Sequence, residues 1–417
     1  MTKQVVAVVG AVLALAGCSN NTPAGADAGT EVTKVGFIYV GPTGDYGWSK
    51  SHEDGRQYLE NFGTNVKTSY IESVAIADAA KKIDELYASG HKIVFTTSFD
   101  YQAEALKAPE RHPDLWMMNC AGFKTANHVG NYMARLEEAE YLSGMVAAGM
   151  SKTGKIGVVG ALRIYEQMMH INAFTLGVRA VNPNAQVLVR WVGNWFSPAM
   201  EIKAVNDLVT DGGADVIKAM TDTNIPVVIA DELKTPAGET VYSIGINNKD
   251  FCNSAKNGTC VTSSYYNWGP YYVKLVKEIA EGKYPTAGRV DYLGSKDLDI
   301  VGLAQMSDKV PADIKTKVEE KKTAITSGAF NVFQGPFKYV DGTEVKTGEK
   351  LTDTDLPCTK KFVEGITDFN GPSCTTNTDC NLNKTTAGER DAFYDSFLSC
   401  DAATSKCVAA DLSGCGT

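Results

Sequence analysis

VGFIYVGPTGDYGWSKSHEDGRQYLENFG, residues 35–63, sets the fold class. A short apolar run (35–40) predicts a strand buried on both faces. A loop with Gly41, Gly44 and Gly47 follows, then helical spacing over 48–62 that stops before Gly63. Strand, glycine loop and helix form the first half of a parallel βαβ unit. The rhythm continues with strands over 66–73, 92–97 and 115–120 and helices over 76–90 and 100–108. It then restarts: helix 137–150, strand 155–162, helix 165–181, strand 187–193, helix 199–210 and strand 215–220. Two such runs predict two α/β lobes, not one large sheet. Further helices are expected over 268–282 and 312–328. Asp341-Gly342 between alternating residues marks a hairpin over 336–345.

The surroundings of this body have different chemistry. Residues 1–17 place one lysine before an apolar stretch ending in small residues, the build of a secretory signal peptide. Leu15-Ala16-Gly17-Cys18 matches a bacterial lipobox, so Cys18 is the expected lipidation site and residues 18–33 a flexible tether. The expected location is the cell envelope, lipid-anchored to a bacterial membrane. Nine further cysteines follow. Cys252 and Cys260 flank a polar loop and are expected to pair. Cys358, Cys374, Cys380, Cys400, Cys407 and Cys415 are expected to form three bridges, with the pairing left open, that hold a small Cys-rich C-terminal appendage over 371–417. Cys120, closing the run LWMMNC, is expected to be a buried free thiol. The tail has no C-x-x-C and no histidine, which argues against zinc.

Composition narrows the function. Of the 417 residues, 44% are apolar and 21% charged, so most of the chain is globular. Forty Lys and Arg against 49 Asp and Glu give a net charge of −9, which disfavours nucleic acid as a partner. GMSKTGKI (149–156) comes near a phosphate-binding loop, but Ile156 stands where Ser or Thr would meet a metal and the order is helix to strand. The five histidines share no ligand spacing, and His52, beside Glu53 and Asp54, reads as part of an exposed polar helix face. No enzyme activity, metal or cofactor is expected.

Five clusters remain: GPTGDYGWSKSHEDGR (41–56), TTSFDY (96–101), GNWFSP (193–198), MTDTN (220–224) and YYNWGPYY (265–272). Four of them lie just after predicted strands, where open α/β sheets bind ligands. Their rings can sandwich a flat heteroaromatic, while carboxylates and amides pair with its edge. Against that, Trp195 and Phe196 could pack a lobe surface, Asp222 could cap a helix, and Tyr271 reads best as packing.

At these residues the chain resembles the basic membrane protein (purine nucleoside receptor A-like) family of lipoproteins. The segments are GDYGWSKSHEDGR, IVFTTSFDY, YMARLEEAEYLSGMVAAGMSKTGKIGVVG, INAFTLGVRAVNP, VRWVGNWFSPAMEIKAVNDLVTDGGADVI, YNWGPYYVKLVKEIAEGKY and FQGPFKYVDG, within residues 34–370. The resemblance implies a type I periplasmic-binding-protein fold: two Rossmann-like lobes joined by three crossovers near 132–137, 262–267 and 298–303. Lobe 1 would span about 34–135 and 267–300, lobe 2 about 136–266 and 301–330. It also implies a monomeric receptor for a purine base or nucleoside that serves an ABC permease and its ATPase. A ligand-sensing lipoprotein of the same fold is the alternative. Trp48 matches the ring that stacks on the base, Trp195 the aromatic of the Asn-Trp-Phe motif, and Asp222 with Thr223 a polar pair from lobe 2. Tyr266 and Asn267 depart from the family, which tends to carry an acidic residue before Trp-Gly-Pro-Tyr-Tyr. The expected ligand contacts are Asp45, Tyr46, Gly47, Trp48, Phe99, Trp195, Asp222, Thr223, Asn247, Asn267 and Trp268.

Overall fold

The first run of strands forms one sheet: β1 (Thr33–Ile38), β2 (Val66–Ile71), β3 (Ile93–Thr96), β4 (Trp116–Cys120), β5 (Val129–Ala134) and β11 (Val290–Leu293), in the order β11-β5-β4-β3-β1-β2. The second run forms another: β6 (Lys155–Gly160), β7 (Gln186–Trp191), β8 (Val216–Met220), β9 (Tyr242–Gly245), β10 (Cys260–Tyr266), β12 (Val301–Leu303) and β15 (Ile366–Asp368), in the order β12-β10-β9-β8-β6-β7-β15. The chain is seen as a computed structural model that describes residues 32–353, 355–356, 361–369, 398–401 and 406–409. Every pairing in the two sheets is parallel except β10 with β12. Numbered from its own first strand, each sheet carries the order 2-1-3-4-5. That order puts a topological switch point beside the first strand of each lobe.

The central strands are apolar on both faces because helices cover both. In lobe 1 the outer layer is α2 (Ala79–Ala88) and α3 (Gln102–Arg111), whose Ile83, Leu86, Ala105 and Ala108 pack on Ile38, Val94 and Met117. In lobe 2 it is α6 (Pro198–Thr210) and α7 (Ile225–Glu232), with Val205, Leu208 and Ala230 on Val159 and Ile217. The inner layers, α1 (Trp48–Phe62) and α8 (Trp268–Ala280) in lobe 1, α4 (Leu136–Met150) and α5 (Tyr165–Val181) in lobe 2, share one continuous core.

The chain passes between lobes three times: at Arg135 from β5 to α4, at Asn267 from β10 to α8, and over residues 294–300 from β11 to β12. The passages are tied to one another. The Arg135 amide donates to Leu293 O (2.7 Å) and the Asn267 amide to Ile300 O (2.7 Å).

Beyond α9 (Ala312–Thr326) an arm carries the hairpin β13 (Phe337–Lys338) and β14 (Glu344–Val345), then returns to lay β15 beside β7. Lobe 2 therefore includes residues well past 330. Asn172 holds the arm: its Nδ2 donates to Lys361 O (2.9 Å) and its Oδ1 accepts from the Val363 amide (3.0 Å). Cys252 and Cys260 are bonded and Cys120 is free and buried. In the tail, β16 (Leu398–Asp401) and β17 (Lys406–Ala409) pair antiparallel, with Cys400 opposite Cys407. Cys18, Cys358, Cys374, Cys380 and Cys415, with the signal peptide and most of the tether, lie outside the described residues.

The near-miss phosphate loop is a helix–strand turn. Its Lys152 and Thr153 amides both donate to Asp215 Oδ2 (2.7 and 2.9 Å), so they are not available to a phosphate.

Candidate functional site

The two switch points face each other across one cavity. From lobe 1 it is lined by Val40 and Trp48 after β1, Ser98 and Phe99 after β3, and Ala121 after β4. From lobe 2 come Ile164, Tyr165, Glu166, Gln167 and His170 after β6, Trp195 after β7, Met220 and Asp222 at the end of β8, Ile246 and Asn247 after β9, and Tyr266 ending β10. It encloses about 890 Å³ free of protein atoms, open solvent at its mouth included, of which about 100 Å³ can take the centre of a water-sized sphere.

Trp48 opens α1. Its Nε1 donates to Thr97 O (2.6 Å), and its ring meets Tyr266 edge-on at 5.5 Å. The indole is thus held in one orientation before any ligand arrives. Behind it an aromatic stack rises: Trp268 lies between Tyr266 (4.7 Å) and His52 (4.9 Å), both nearly parallel to it. Trp268 is 1% exposed and its Nε1 donates to Ser51 Oγ (3.3 Å). It backs the wall and does not line the cavity. Tyr266 takes the place at the surface.

Asp45 does not reach the cavity. Its carboxylate accepts from the Gly47, Ser49 and Lys50 amides (2.8, 2.8 and 3.0 Å), capping α1 where the helix leaves amides unpaired. Burial pushes its acidity toward higher pKa, opposed by those three donors. Tyr46 is exposed at a left-handed backbone position (φ +63°), outside the cavity. Gly47 sits where the lobes approach; a Cβ there would lie 3.4 Å from Phe251 and 3.6 Å from Asp222 O.

In lobe 2 the expected polar pair divides. Asp222 faces the cavity, and no hydrogen bond in the structure engages its carboxyl group. Burial, then the nearby carboxylates Asp45, Glu166 and Glu201, push its pKa well above the ordinary range. Thr223 turns away: its hydroxyl donates to Glu201 and accepts from the Ile225 amide (3.1 Å) at the start of α7. Asn247, 6% exposed and at φ +68°, presents its amide to the cavity. Asn267 belongs to the hinge, where its Nδ2 donates to Asp299 O (3.2 Å). The residues brought together are therefore Trp48, Phe99, Trp195, Asp222 and Asn247. Asp45, Tyr46, Gly47, Thr223, Asn267 and Trp268 stand outside the lining.

Tyr165, Glu166, Gln167 and His170 carry no ligand role in the sequence analysis, and Tyr266 enters it only as a departure from the family. The strand-end rule applied to β6 points at Tyr165 through Gln167. The apolar, methionine-rich look of YEQMMHI hid them. His52 was read as exposed but is 0% exposed, with Nδ1 2.6 Å from Tyr272 Oη; the polar residues around it satisfy one another, as Glu53 and Arg56 do in a bidentate pair. Among the described residues no group of three His, Cys, Asp or Glu could hold a metal, and no helix is long and apolar enough to cross a membrane.

Comparison with known proteins agrees with this geometry. A purine-binding protein of Brucella abortus is 36% identical over 349 residues, 82% of this chain and 95% of that one. A Haloferax volcanii protein named for ABC transporter glucose binding is 30% identical over 315 residues, covering 75% and 77%. A solved ABC transporter solute-binding protein of Conexibacter woesei superposes with a TM-score of 0.60 at 20% identity, covering 72% of this chain and 98% of that one. The family described as "ABC transporter substrate-binding protein PnrA-like" matches residues 32–332. With two switch-point lobes closing on one cavity, the chain belongs to that Bmp family of ABC transporter substrate-binding proteins.

Proposed function

We propose that this substrate-binding protein captures a purine base, or the base of a nucleoside, in the cavity between the lobes. It hands the ligand unchanged to an importing permease, as a monomer tethered to a membrane through lipidated Cys18. The observation that carries the reading is the pairing, in one cavity, of a ring held by its own hydrogen bond (Trp48) with a carboxyl group that has no partner inside the protein (Asp222). A planar ligand stacked on the indole presents N–H groups at its rim, and Asp222 with the Asn247 amide can read them. The purine-binding relative supports this ligand class. The glucose-named relative makes sugars the comparison to run.

Calorimetry of the unlipidated protein against adenine, adenosine and glucose tests it. A purine should bind and glucose should not. Trp48→Ala should weaken purine binding by about 1–3 kcal/mol, the range for base–aromatic stacking. Glucose binding without purine binding, or an unchanged affinity in Trp48→Ala, overturns the reading.

A further inference from the structure

Within the cavity, lobe 2 carries a feature that the stacking-and-edge reading does not use. His170 is 1% exposed and lines the cavity, yet neither ring nitrogen has a hydrogen-bond partner. Buried polar groups in folded proteins are nearly always paired, so an imidazole in the cavity wall with two covered, unmatched nitrogens marks a place for a ligand's polar atoms. Glu166 lies four residues earlier on α5, and helical spacing puts both side chains on one face, toward the same space. No hydrogen bond engages the Glu166 carboxyl group either.

We infer that His170 and Glu166 form a second polar wall that reads the ligand's polar atoms and selects uncharged, hydrogen-bonding heterocycles over anionic ones. This rests on the cavity being the ligand site. A neutral imidazole offers one donor and one acceptor, which suits a heterocycle edge that alternates N–H and N. Burial and the charge of Lys218 hold His170 neutral, with its pKa lowered to about 3. Lys218 itself cannot serve as a counter-ion for a ligand. It is 0% exposed, and its ammonium is engaged by Glu140 Oε1 (3.1 Å), Gly245 O (2.7 Å) and Ser264 Oγ (3.1 Å). No Lys or Arg lines the cavity, while two carboxyl groups do. An anion would therefore lose its water without gaining a cation, and a carboxyl group in the wall would repel it wherever it ionises.

The test is calorimetry of wild type, His170→Phe and Glu166→Gln with adenine and with urate, a purine that is anionic at neutral pH. Wild type should bind adenine at least about tenfold more tightly than urate, and His170→Phe should lose at least about tenfold in adenine affinity, since a site built for hydrogen bonds discriminates strongly once they are removed. The ligand-free melting temperature of each variant shows whether it folds. Should His170→Phe not fold, Glu166→Gln decides: it should narrow the adenine–urate gap several-fold. Urate binding within tenfold of adenine overturns the inference. So does full adenine affinity in a folded His170→Phe, or an unchanged gap in Glu166→Gln, and in both cases the proposed function still stands. If no purine binds wild type, the proposed function falls and this wall falls with it.

Discussion

Glu166 has an effect that does not need a ligand. Burial raises its carboxyl pKa to about 7, whereas in an unfolded chain it titrates near about 4.3. Between those values the folded protein holds a proton that the unfolded chain has released, so stability falls as pH rises. The contribution is fully present below about pH 4 and gone above about pH 7. Glu166→Gln removes the titration. The melting temperature of the variant minus that of wild type should therefore grow between about pH 5 and pH 8 and then level off. Losing the Glu166 charge also relieves Asp222, whose pKa that charge raises, which acts in the same direction. Glu137, pushed up to about 8 mainly by burial, is common to both proteins and cancels in the difference. Melting curves of the ligand-free proteins across that range check this, and a flat difference refutes it. At this scale the site was only half legible. Trp48 and Asp222 stood out because a ring and an acid followed strands. His170 did not, because a histidine among methionines on an otherwise buried helix looks like core, and only the fold shows that its ring nitrogens are unmatched.

Among the elements, α1 shows how a misread residue still has work to do. Asp45 was expected to accept from the ligand, and it accepts from the first amides of the helix instead. Asp45→Ala should cost about 0.5–2 kcal/mol of folding stability, the range for losing an N-terminal cap. Any effect on ligand binding should come only through the position of Trp48. Urea unfolding gives the first number, and an unchanged midpoint would show the cap to be idle. The strands were legible in proportion to their burial by apolar residues. VGFIYV, KIVFTT, KIGVVGAL and DVIKAM declare themselves because parallel strands covered on both faces run apolar without a break. β10, CVTSSYY, did not, although all but one of its residues are buried. Its hydroxyls are satisfied inside the protein: Ser264 Oγ donates to Glu140 Oε1 (2.6 Å) and Thr262 Oγ1 to Ala304 O (2.7 Å). A buried strand built on such pairs looks polar in sequence. β15 is three residues at a sheet edge, too short to show any period, and its place depends on Asn172 and on the Arg163–Asp368 ion pair far away in sequence.

For the whole molecule the question is what holds the lobes at their present separation. The three hinge passages fix where the lobes can rotate, but they do not lock the cleft. Across its mouth Asn248 Nδ2 of lobe 2 donates to Asp54 Oδ2 of lobe 1 (2.8 Å), and Lys50 pairs with the other oxygen of Asp54. Asn248 is 3% exposed while the Asp54 side chain is 35% exposed, so the bond sits at the border of solvent. It exists only when the lobes are together, since Asp54 stands on α1 of lobe 1 and Asn248 in the loop after β9 of lobe 2. A contact made in one state and not in the other biases the equilibrium by its full free energy. A hydrogen bond to a charged group contributes about 1.5–3 kcal/mol, less where water competes, so about 1 kcal/mol is expected here. Asn248→Ala should then open the cleft more often and weaken ligand binding by about fivefold, mostly through faster release, because escape requires opening and capture does not require this bond. Asp54→Ala should do the same, and the double variant should be no worse than either single one, since one bond is lost in all three. Stopped-flow release rates give the kinetic term, and small-angle scattering of the ligand-free variants should show a larger radius of gyration. Release rates equal to wild type, or losses that add in the double variant, would show that closure depends on the ligand and the hinge alone.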